Sequence, residues 1–172
     1  MTRLFVATWP PPDVIELLGR LERPVIDGMR WTTPDQWHVT LRFLGAVDDV
    51  DAVVEAVAAT AAKQPTAVAT MGPETARLGR TILVAPVAGL DRLGASVVAA
   101  TSDLGTPPED RPFVGHVTLA RTRRRVPSSS VGIPIAATWT VTEVAVVASD
   151  TRPEGARDTD VDRLRLGRTG RG

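Results

Sequence analysis

The sequence has no cysteine and no tyrosine, and only two of its 172 residues are histidines. Without cysteine, the chain can form no disulfide bond, thiolate nucleophile or cysteine-based zinc site. The longest apolar region, residues 131–148, contains Gly132, Pro134 and Glu143, which argues against a membrane span. The N-terminal apolar stretch ends at the prolines of 10–12 and is too short for a signal peptide. We therefore expect a cytoplasmic protein without membrane attachment.

The chain also has no net charge, because basic and acidic residues number 20 each. No overall field would therefore draw the protein to nucleic acid. Only Lys63 among the basic residues is a lysine, a bias that suits bidentate phosphate binding and equally suits a GC-rich genome. The length and the 43% hydrophobic content predict one domain at 1–166, followed by a flexible tail at 167–172. The order of its elements, given next, predicts two lobes, and we expect a monomer.

Hydrophobic periodicity predicts alternating strands and helices in two similar rounds. Strands are predicted at 3–8, 29–32, 37–44, 67–71, 81–86, 115–121, 136–141, 143–149 and 161–166. Helices are predicted at 10–21, 48–63 and 89–104, and polar loops at 121–130 and 150–160. This order favours an α+β fold in which one unit is used twice.

A literal repeat supports the duplication, since the tetrapeptide His-Val-Thr-Leu occurs at 38–41 and again at 116–119. The two copies contain both histidines of the chain. Strand alternation places His38, Thr40 and Arg42 on one face of the first strand, with Phe43 on the opposite, apolar face. In the second strand, the same alternation places His116 and Thr118 on one side.

Three other interpretations explain these histidines less well. A lone histidine in a strand is usually a half-buried residue with a satisfied hydrogen bond, but a repeated His-x-Thr pattern is not expected by chance. A metal site is disfavoured because each strand offers one nitrogen and one poor ligand. A serine triad lacks the Gly-x-Ser-x-Gly elbow and would leave one histidine without a role. We expect neither a metal nor a cofactor.

Paired His-x-Thr strands suit phosphoryl chemistry. One imidazole can deprotonate a nucleophile while the other protonates the leaving oxygen. The hydroxyls of Thr40 and Thr118 can donate to the non-bridging oxygens, where negative charge accumulates. This pattern predicts metal-independent acid–base catalysis by His38 and His116.

The motifs also carry a family resemblance that runs over nearly the whole chain. The segments 5–7, 37–45 and 111–121, together with the final strands at 143–149 and 163–166, are those that match. They resemble the bacterial RNA 2',3'-cyclic phosphodiesterases, or 2'-5' RNA ligase-like proteins, of the 2H phosphoesterase superfamily. The resemblance implies a bilobal duplicated α+β fold in which two antiparallel sheets with outer helices face each other across a central cleft.

The resemblance further implies hydrolysis of 2',3'-cyclic phosphate ends of RNA to 2'-phosphates, with 2'-5' ligation as the reverse reaction. Under it, His38 corresponds to the proton donor and His116 to the base that activates water. Thr40 and Thr118 correspond to phosphate ligands, and Arg121 to a substrate-binding arginine. Strand alternation instead places Arg121 opposite His116 unless the strand ends or bulges at Ala120.

Further substrate contacts are predicted from the residues around the motifs. Arg42 lies on the histidine face by alternation, and Phe43, Trp31 or Trp9 could stack on a terminal base. The arginines of 121–125 could follow an RNA backbone. Two departures from the family are Gly115, where many members have proline, and the missing tyrosine near Asp160.

Three functions remain open from the sequence. The first is the RNA-end enzyme, and the second is a phosphodiesterase for a small nucleotide such as ADP-ribose cyclic phosphate or 2'-5' oligoadenylate. The third is a module that only holds a nucleotide. Intact histidine and threonine in both motifs favour catalysis, because phosphate capture alone would more readily use arginine or helix N-termini.

Overall fold

A computed structural model describes residues 1–167. The predicted tail at 167–172 lies, apart from Gly167, outside the described residues. The N–H of Gly167 donates a hydrogen bond to the carbonyl of Ala61 (3.0 Å), so the chain is anchored up to that point.

The described residues form ten strands and three α-helices. The strands are β1 (Thr2–Thr8), β2 (Met29–Trp31), β3 (Val39–Val47), β4 (Ala67–Met71), β5 (Ala76–Leu78), β6 (Ile82–Ala88), β7 (His116–Thr122), β8 (Ala137–Val141), β9 (Glu143–Arg152) and β10 (Gly155–Arg165). The helices are α1 (Pro12–Gly19), α2 (Val50–Ala61) and α3 (Asp91–Ala100). No helix among these residues is long and apolar enough to cross a membrane.

Helix starts follow the chemistry of the residues that precede them. Pro12 occupies the first turn of α1, where a missing N–H costs nothing. The side chain of Asp49 caps α2 by accepting a hydrogen bond from the N–H of Ala52 (3.0 Å). Asp91 lies in the first turn of α3, near the positive end of the helix dipole.

The strands pair antiparallel in the order β10-β9-β1-β3-β7-β6-β4-β8, with β2 added beside β7 and β5 beside β6. The order divides into two halves, β10-β9-β1-β3 and β7-β6-β4-β8. Each half places a motif strand at the inner edge, and the two motif strands pair only through Val39 and Val117. The predicted α+β class is therefore confirmed, the strand order agrees with the predicted duplication, and the two predicted sheets are joined into one path.

The main core lies on one face of this sheet and contains Val39, Leu41, Val117 and Leu119, all at most 3% exposed. A second, smaller apolar cluster lies apart from the main core. It consists of Phe5, Ala7, Ala145 and Val147, with Trp9 packed against it. Both faces of β1 are thus covered, because Leu4 and Val6 belong to the main core.

The largest error in the predicted elements concerns residues 150–160, for which the sequence predicts a polar loop. They are instead the ends of β9 and β10 and the tight turn between them, with Asp158 opposite Ser149. These residues are polar because the end of the hairpin packs against few apolar side chains. Thr151, Arg152 and Arg157 are exposed there. The sequence does not predict the short strand β5, and α1 and α3 end earlier than expected.

Replacing a valine of the main core should destabilise the fold, whereas the same change on the surface should not. Val6 in β1 is 0% exposed and Val68 in β4 is 55% exposed. We expect Val6→Ala to lower the free energy of unfolding by about 2–3 kcal/mol through lost burial and a cavity. Val68→Ala should change it by less than about 0.5 kcal/mol. Urea unfolding of both variants measures the difference, and equal losses would place Val6 outside the core.

Candidate active site

The two His-Val-Thr-Leu motifs come together because their strands lie side by side and run in opposite directions. Val39 pairs with Val117, so continuing this register places His38 across from Thr118 and Thr40 across from His116. Both valines are fully buried, and the alternating side chains of the motifs therefore point to the opposite face of the sheet. The four predicted residues are each partly buried there. Both motifs thus contribute to one site.

A β-bulge interrupts the second motif strand directly after this site. Val84 of β6 pairs with Thr118 and Leu83 pairs with Ala120, so Leu119 has no residue of its own across the ladder. Leu119 and Ala120 are both buried as a result. Because one extra residue reverses the alternation, Arg121 returns to the face that carries Thr118. The bulge predicted as one of two ways to bring Arg121 to the histidines is therefore present.

The first motif strand has the same irregularity at the equivalent position. Ala7 of β1 pairs with Thr40 and Val6 pairs with Arg42, which leaves Leu41 as the extra residue. Leu41 and Arg42 are both buried, as their counterparts in β7 are. The duplication therefore extends from the motif to the local backbone shape.

The bulge shows that the prediction of Arg42 on the histidine face is wrong. Arg42 is 6% exposed, and its guanidinium donates hydrogen bonds to the carbonyls of Phe43 (2.9 Å) and Thr106 (2.6 Å). A more distant contact reaches the carbonyl of Leu104 (3.4 Å). Burial lowers the pKa of Arg42. Its role is to fasten the loop after α3 to β3, and it does not face substrate.

Phe43 takes the outward position that strand alternation gave to Arg42. Its side chain is 49% exposed, and the guanidinium of Arg3 lies 5.7 Å from the ring centroid. By the same count of five residues from the motif histidine, Phe43 in β3 corresponds to Arg121 in β7. The alternation that assigned Phe43 to the apolar face is therefore wrong, and its availability to stack on a base follows from the bulge.

Arg121 lies close enough to both histidines for its charge to affect them. It lowers the pKa of His38 and that of His116. Its neighbour across β2 is Arg30, which adds a second guanidinium at this edge. A phosphate placed between the histidines would therefore face positive charge from the β7 side.

His38 lies in an aromatic pocket on the smaller apolar cluster. Its ring stacks on Phe5 with a centroid separation of 4.7 Å, and Trp9 meets it edge-on at 5.2 Å. Burial lowers the pKa of His38 to about 4, with further lowering by His116 and Arg121 and an opposing effect of the Gln36 carbonyl. The indole N–H of Trp9 donates to Asp160 (2.9 Å). Trp9 therefore contacts the catalytic candidate directly.

His116 is held differently, through a backbone carbonyl. Its Nδ1 lies 2.7 Å from the carbonyl oxygen of Val114, so Nδ1 carries the proton and Nε2 is left as the acceptor. Burial lowers the pKa of His116, and Arg121 and Arg111 add to this effect while the Val114 carbonyl opposes it. In this tautomer, Nε2 can accept a proton from water.

Gly115, which precedes His116, is required by the close approach of a neighbouring strand. A Cβ at this position would collide with the carbonyl oxygen of Val87, whose N–H in turn bonds to the Gly115 carbonyl (2.9 Å). A proline at this position would bring the same collision in this backbone arrangement. The departure from the family pattern is therefore matched by tighter packing of β6 and β7.

Sequence reasoning missed Asp158, which lies beside His38. Its Oδ2 is 4.0 Å from Nδ1 of His38, and its side chain is only 5% exposed. One feature of the sequence could have indicated that Asp158 lies in a strand. Asp158, Asp160 and Asp162 alternate with other residues, as in a strand with one polar face. The many charges of this segment concealed that periodicity and indicated a loop.

Other predicted contacts lie around the site or away from it. Trp31 donates its indole N–H to the Pro24 carbonyl (2.9 Å) and lines an apolar cavity of about 410 Å³ beside α1. A polar cavity of about 440 Å³ lies beside the β9–β10 turn. Neither of these two cavities is lined by His38 or His116. Within residues 1–167, no three histidine or acidic side chains gather in a group that could hold a metal ion.

Comparison with known proteins points to the same family as the sequence motifs. The family model described as LigT like Phosphoesterase matches residues 7–72, which include the first motif. The crystal structure of TT0787 of Thermus thermophilus superposes with a TM-score of 0.86 at 25% identity, covering 98% of this chain and 100% of that one. The chain has no match among the curated proteins.

A second similar structure is E. coli LigT complexed with 3'-AMP. It has a TM-score of 0.74 and 26% identity, with 96% of this chain and 98% of that chain covered. The likeness therefore extends over both motifs and both halves of the sheet. The two juxtaposed His-x-Thr strands, the family-model match over residues 7–72 and this whole-chain likeness all make the protein similar to the LigT-like phosphoesterases of the 2H phosphoesterase superfamily.

Proposed function

We propose that the protein hydrolyses the 2',3'-cyclic phosphate at an RNA end to a 2'-phosphate, with His38 as acid and His116 as base. The observation that carries this proposal is the Val39–Val117 pairing, which places both imidazoles and both threonines on one face. An intramolecular ribose oxygen is a basic leaving group, so the reaction needs a proton donor as well as a base. Two histidines on facing strands supply both.

The remaining predicted residues fit the charge that develops on the phosphate. The hydroxyls of Thr40 and Thr118 can donate to its two non-bridging oxygens, and Arg121 offers a guanidinium at the same edge. Phe43 and Trp9 supply aromatic surface beside the histidines for a terminal base or ribose. The whole arrangement needs only side chains already present.

Nucleotide substrates are supported by what a similar protein binds. E. coli LigT has been crystallised in complex with 3'-AMP, and also with NADP+, ATP and phosphate. These ligands include small nucleotides as well as a ribose 3'-phosphate. A phosphodiesterase for a small nucleotide is therefore the second candidate, and the balanced net charge of this chain agrees with a substrate that needs no long-range steering.

A substrate panel distinguishes the two candidates. We expect turnover of a cyclic-phosphate-ended oligonucleotide to a 2'-phosphate in excess EDTA, because the donors and acceptors of the site are side chains. The same assay on 2',3'-cyclic AMP and ADP-ribose cyclic phosphate gives the preference as a ratio of kcat/KM values. Activity that disappears in EDTA and returns only with a divalent ion would contradict the two-histidine mechanism.

Removing either imidazole should abolish most of the rate. We expect His38→Ala and His116→Ala each to lower kcat by about 10²–10⁴-fold, and the double variant to lose far less than the product of the two effects. Circular dichroism melting of each variant controls for folding. Near-normal turnover by His116→Ala would exclude it as the base.

The rate should depend on pH in a bell shape centred below the usual histidine range. The acid His38 loses its proton as the pH rises through its pKa of about 4, and the base His116 is blocked as the pH falls through its own lowered pKa. The maximum of kcat/KM, which reports the free enzyme, should therefore lie below about pH 6.5. The kcat profile should lie at higher pH, because bound phosphate offsets Arg121. A kcat/KM maximum above about pH 7.5 would contradict this assignment.

Arg121 should matter for the reaction although strand alternation alone points it away from the histidines. We expect Arg121→Ala to lower kcat/KM for 2',3'-cyclic AMP by about 10-fold or more, through loss of a charge-assisted hydrogen bond to phosphate. Arg92→Ala, on the exposed side of α3, is the matched control and should leave the rate unchanged. Equal rates for both variants would mean that Arg121 does not reach the substrate.

A further inference from the structure

The two histidines share one kind of neighbour and differ in another. The backbone carbonyl two residues earlier raises the pKa of each, Gln36 for His38 and Val114 for His116, but His38 has a carboxylate beside it as well. Nδ1 of His116 meets a neutral backbone carbonyl, that of Val114 at 2.7 Å. Nδ1 of His38 faces the carboxylate of Asp158 at 4.0 Å. A carboxylate stabilises the protonated form of an imidazole far more than a peptide carbonyl does. The symmetric repeat is therefore made asymmetric by a residue outside it.

Asp158 is placed for this contact by the hairpin of β9 and β10. It lies opposite Ser149 in the ladder, and its side chain is almost completely covered. Oδ1 of Asp158 and Nδ1 of His38 are both buried and have no hydrogen-bond partner within residues 1–167. Two such atoms on neighbouring side chains would each be costly alone. A separation of 4.0 Å is too long for a hydrogen bond but within the range of a charge interaction between the two groups.

We propose that Asp158 is a positioning residue that holds the Nδ1 proton of His38 and thereby makes His38, rather than His116, the proton donor of the reaction. This inference rests on the proposed function, because it assigns the direction of the two-histidine reaction. The residues on which this inference depends are His38, Asp158 and His116, whose Nδ1 faces the Val114 carbonyl.

The step it supports is balanced in atoms and charge. Nε2 of His116 takes a proton from water while the water oxygen bonds to phosphorus. The bond from phosphorus to the ribose 3' oxygen breaks, and that oxygen receives the proton on Nε2 of His38. The product is a 2'-phosphate with a free 3' hydroxyl. One proton then returns from His116 to His38 through solvent. Because Asp158 holds the neutral imidazole of His38 in its Nδ1–H tautomer, Nε2 is free to receive that proton.

The charges around His38 explain why a carboxylate is needed there. His116 and Arg121, both from β7, act against its protonation, and burial in the aromatic pocket lowers the pKa of His38 to about 4. Burial also raises the pKa of Asp158, with Asp35 adding to the rise and the Ser149 hydroxyl opposing it. Burial thus disfavours the charged form of both groups, and a shared proton would relieve both. Asp160 is engaged elsewhere, by Trp9 and Arg163.

The leaving group tests this assignment. The variant Asp158→Asn keeps the shape of the side chain and removes its charge, and Asp162→Asn is the control, an exposed aspartate of the same strand. The substrates are 2',3'-cyclic AMP and 3'-deoxyadenosine 2'-(4-nitrophenyl phosphate). Both give a 2'-phosphate, but nitrophenolate leaves without a proton.

We expect Asp158→Asn to lower kcat/KM for the cyclic phosphate by about 10- to 100-fold and for the nitrophenyl ester by less than about threefold. The alkaline limb of its profile on the cyclic phosphate should move about one pH unit lower. Asp162→Asn should match the parent protein on both substrates. Equal losses on both substrates with an unmoved alkaline limb would assign Asp158 to folding alone and overturn the proposal.

A measurement without substrate separates this proposal from the proposed function. Because the chain has only two histidines, the imidazole nitrogen signals in an NMR spectrum can be assigned by His116→Ala. We expect His38 to hold its proton on Nδ1 at neutral pH, and Asp158→Asn to disturb that tautomer and lower the pH at which His38 titrates. The His116 signals should stay in place. If the parent protein hydrolyses neither substrate, the proposed function fails, whereas unchanged His38 signals in Asp158→Asn overturn the role of Asp158.

Discussion

The contact on which the site depends is the single antiparallel pairing of Val39 with Val117. These two fully buried valines join the halves of the sheet, and they lie at the same place in the two copies of the motif. Because each is flanked by the histidine and threonine of its motif, one pairing places four polar side chains on one face. Burial stabilises this pairing, since the valine side chains belong to the main core while the neighbouring histidines and threonines face outward. A slip of one residue in this register would turn both motifs toward the core.

The paired bulges set which further residues can reach a substrate. One extra residue at Leu41 and one at Leu119 reverse the alternation of both strands after the motif. As a result, two consecutive side chains of each strand are buried, and Phe43 and Arg121 turn outward on the face that carries the histidines. The duplicated backbone thus offers one aromatic and one cationic group at equivalent positions. The two halves of the sheet have similar backbones but therefore present different side chains to the two ends of the nucleotide substrate that we propose.

The sequence predicts the parts of this design that repeat and misses those that depend on neighbours. The His-Val-Thr-Leu repeat and the hydrophobic periods predict both catalytic candidates, the duplication and most strand positions. Strand alternation assigns Arg42 and Phe43 to the wrong faces, because a bulge is fixed by how β3 packs on β1 and leaves no composition signal. In the segment 150–160, the charges outweigh a period of two and indicate a loop. Asp158 is missed with it, since its burial depends on a strand, β9, that covers it only in the folded chain.

The two motifs are identical in sequence, yet the acid–base hydrolysis we propose needs unlike histidines. The two histidines differ because of residues outside the motifs. The residues that surround each histidine come from parts of the chain that the two copies of the motif do not share. His116 follows Gly115, whose close approach to Val87 holds the neighbouring Val114 segment against the imidazole. His38 lies beside the β9–β10 hairpin, which brings the carboxylate of Asp158 within 4.0 Å of its Nδ1. In the mechanism we propose, the division of labour between donor and base follows from how the hairpin packs on β1 and not from the motif strands themselves.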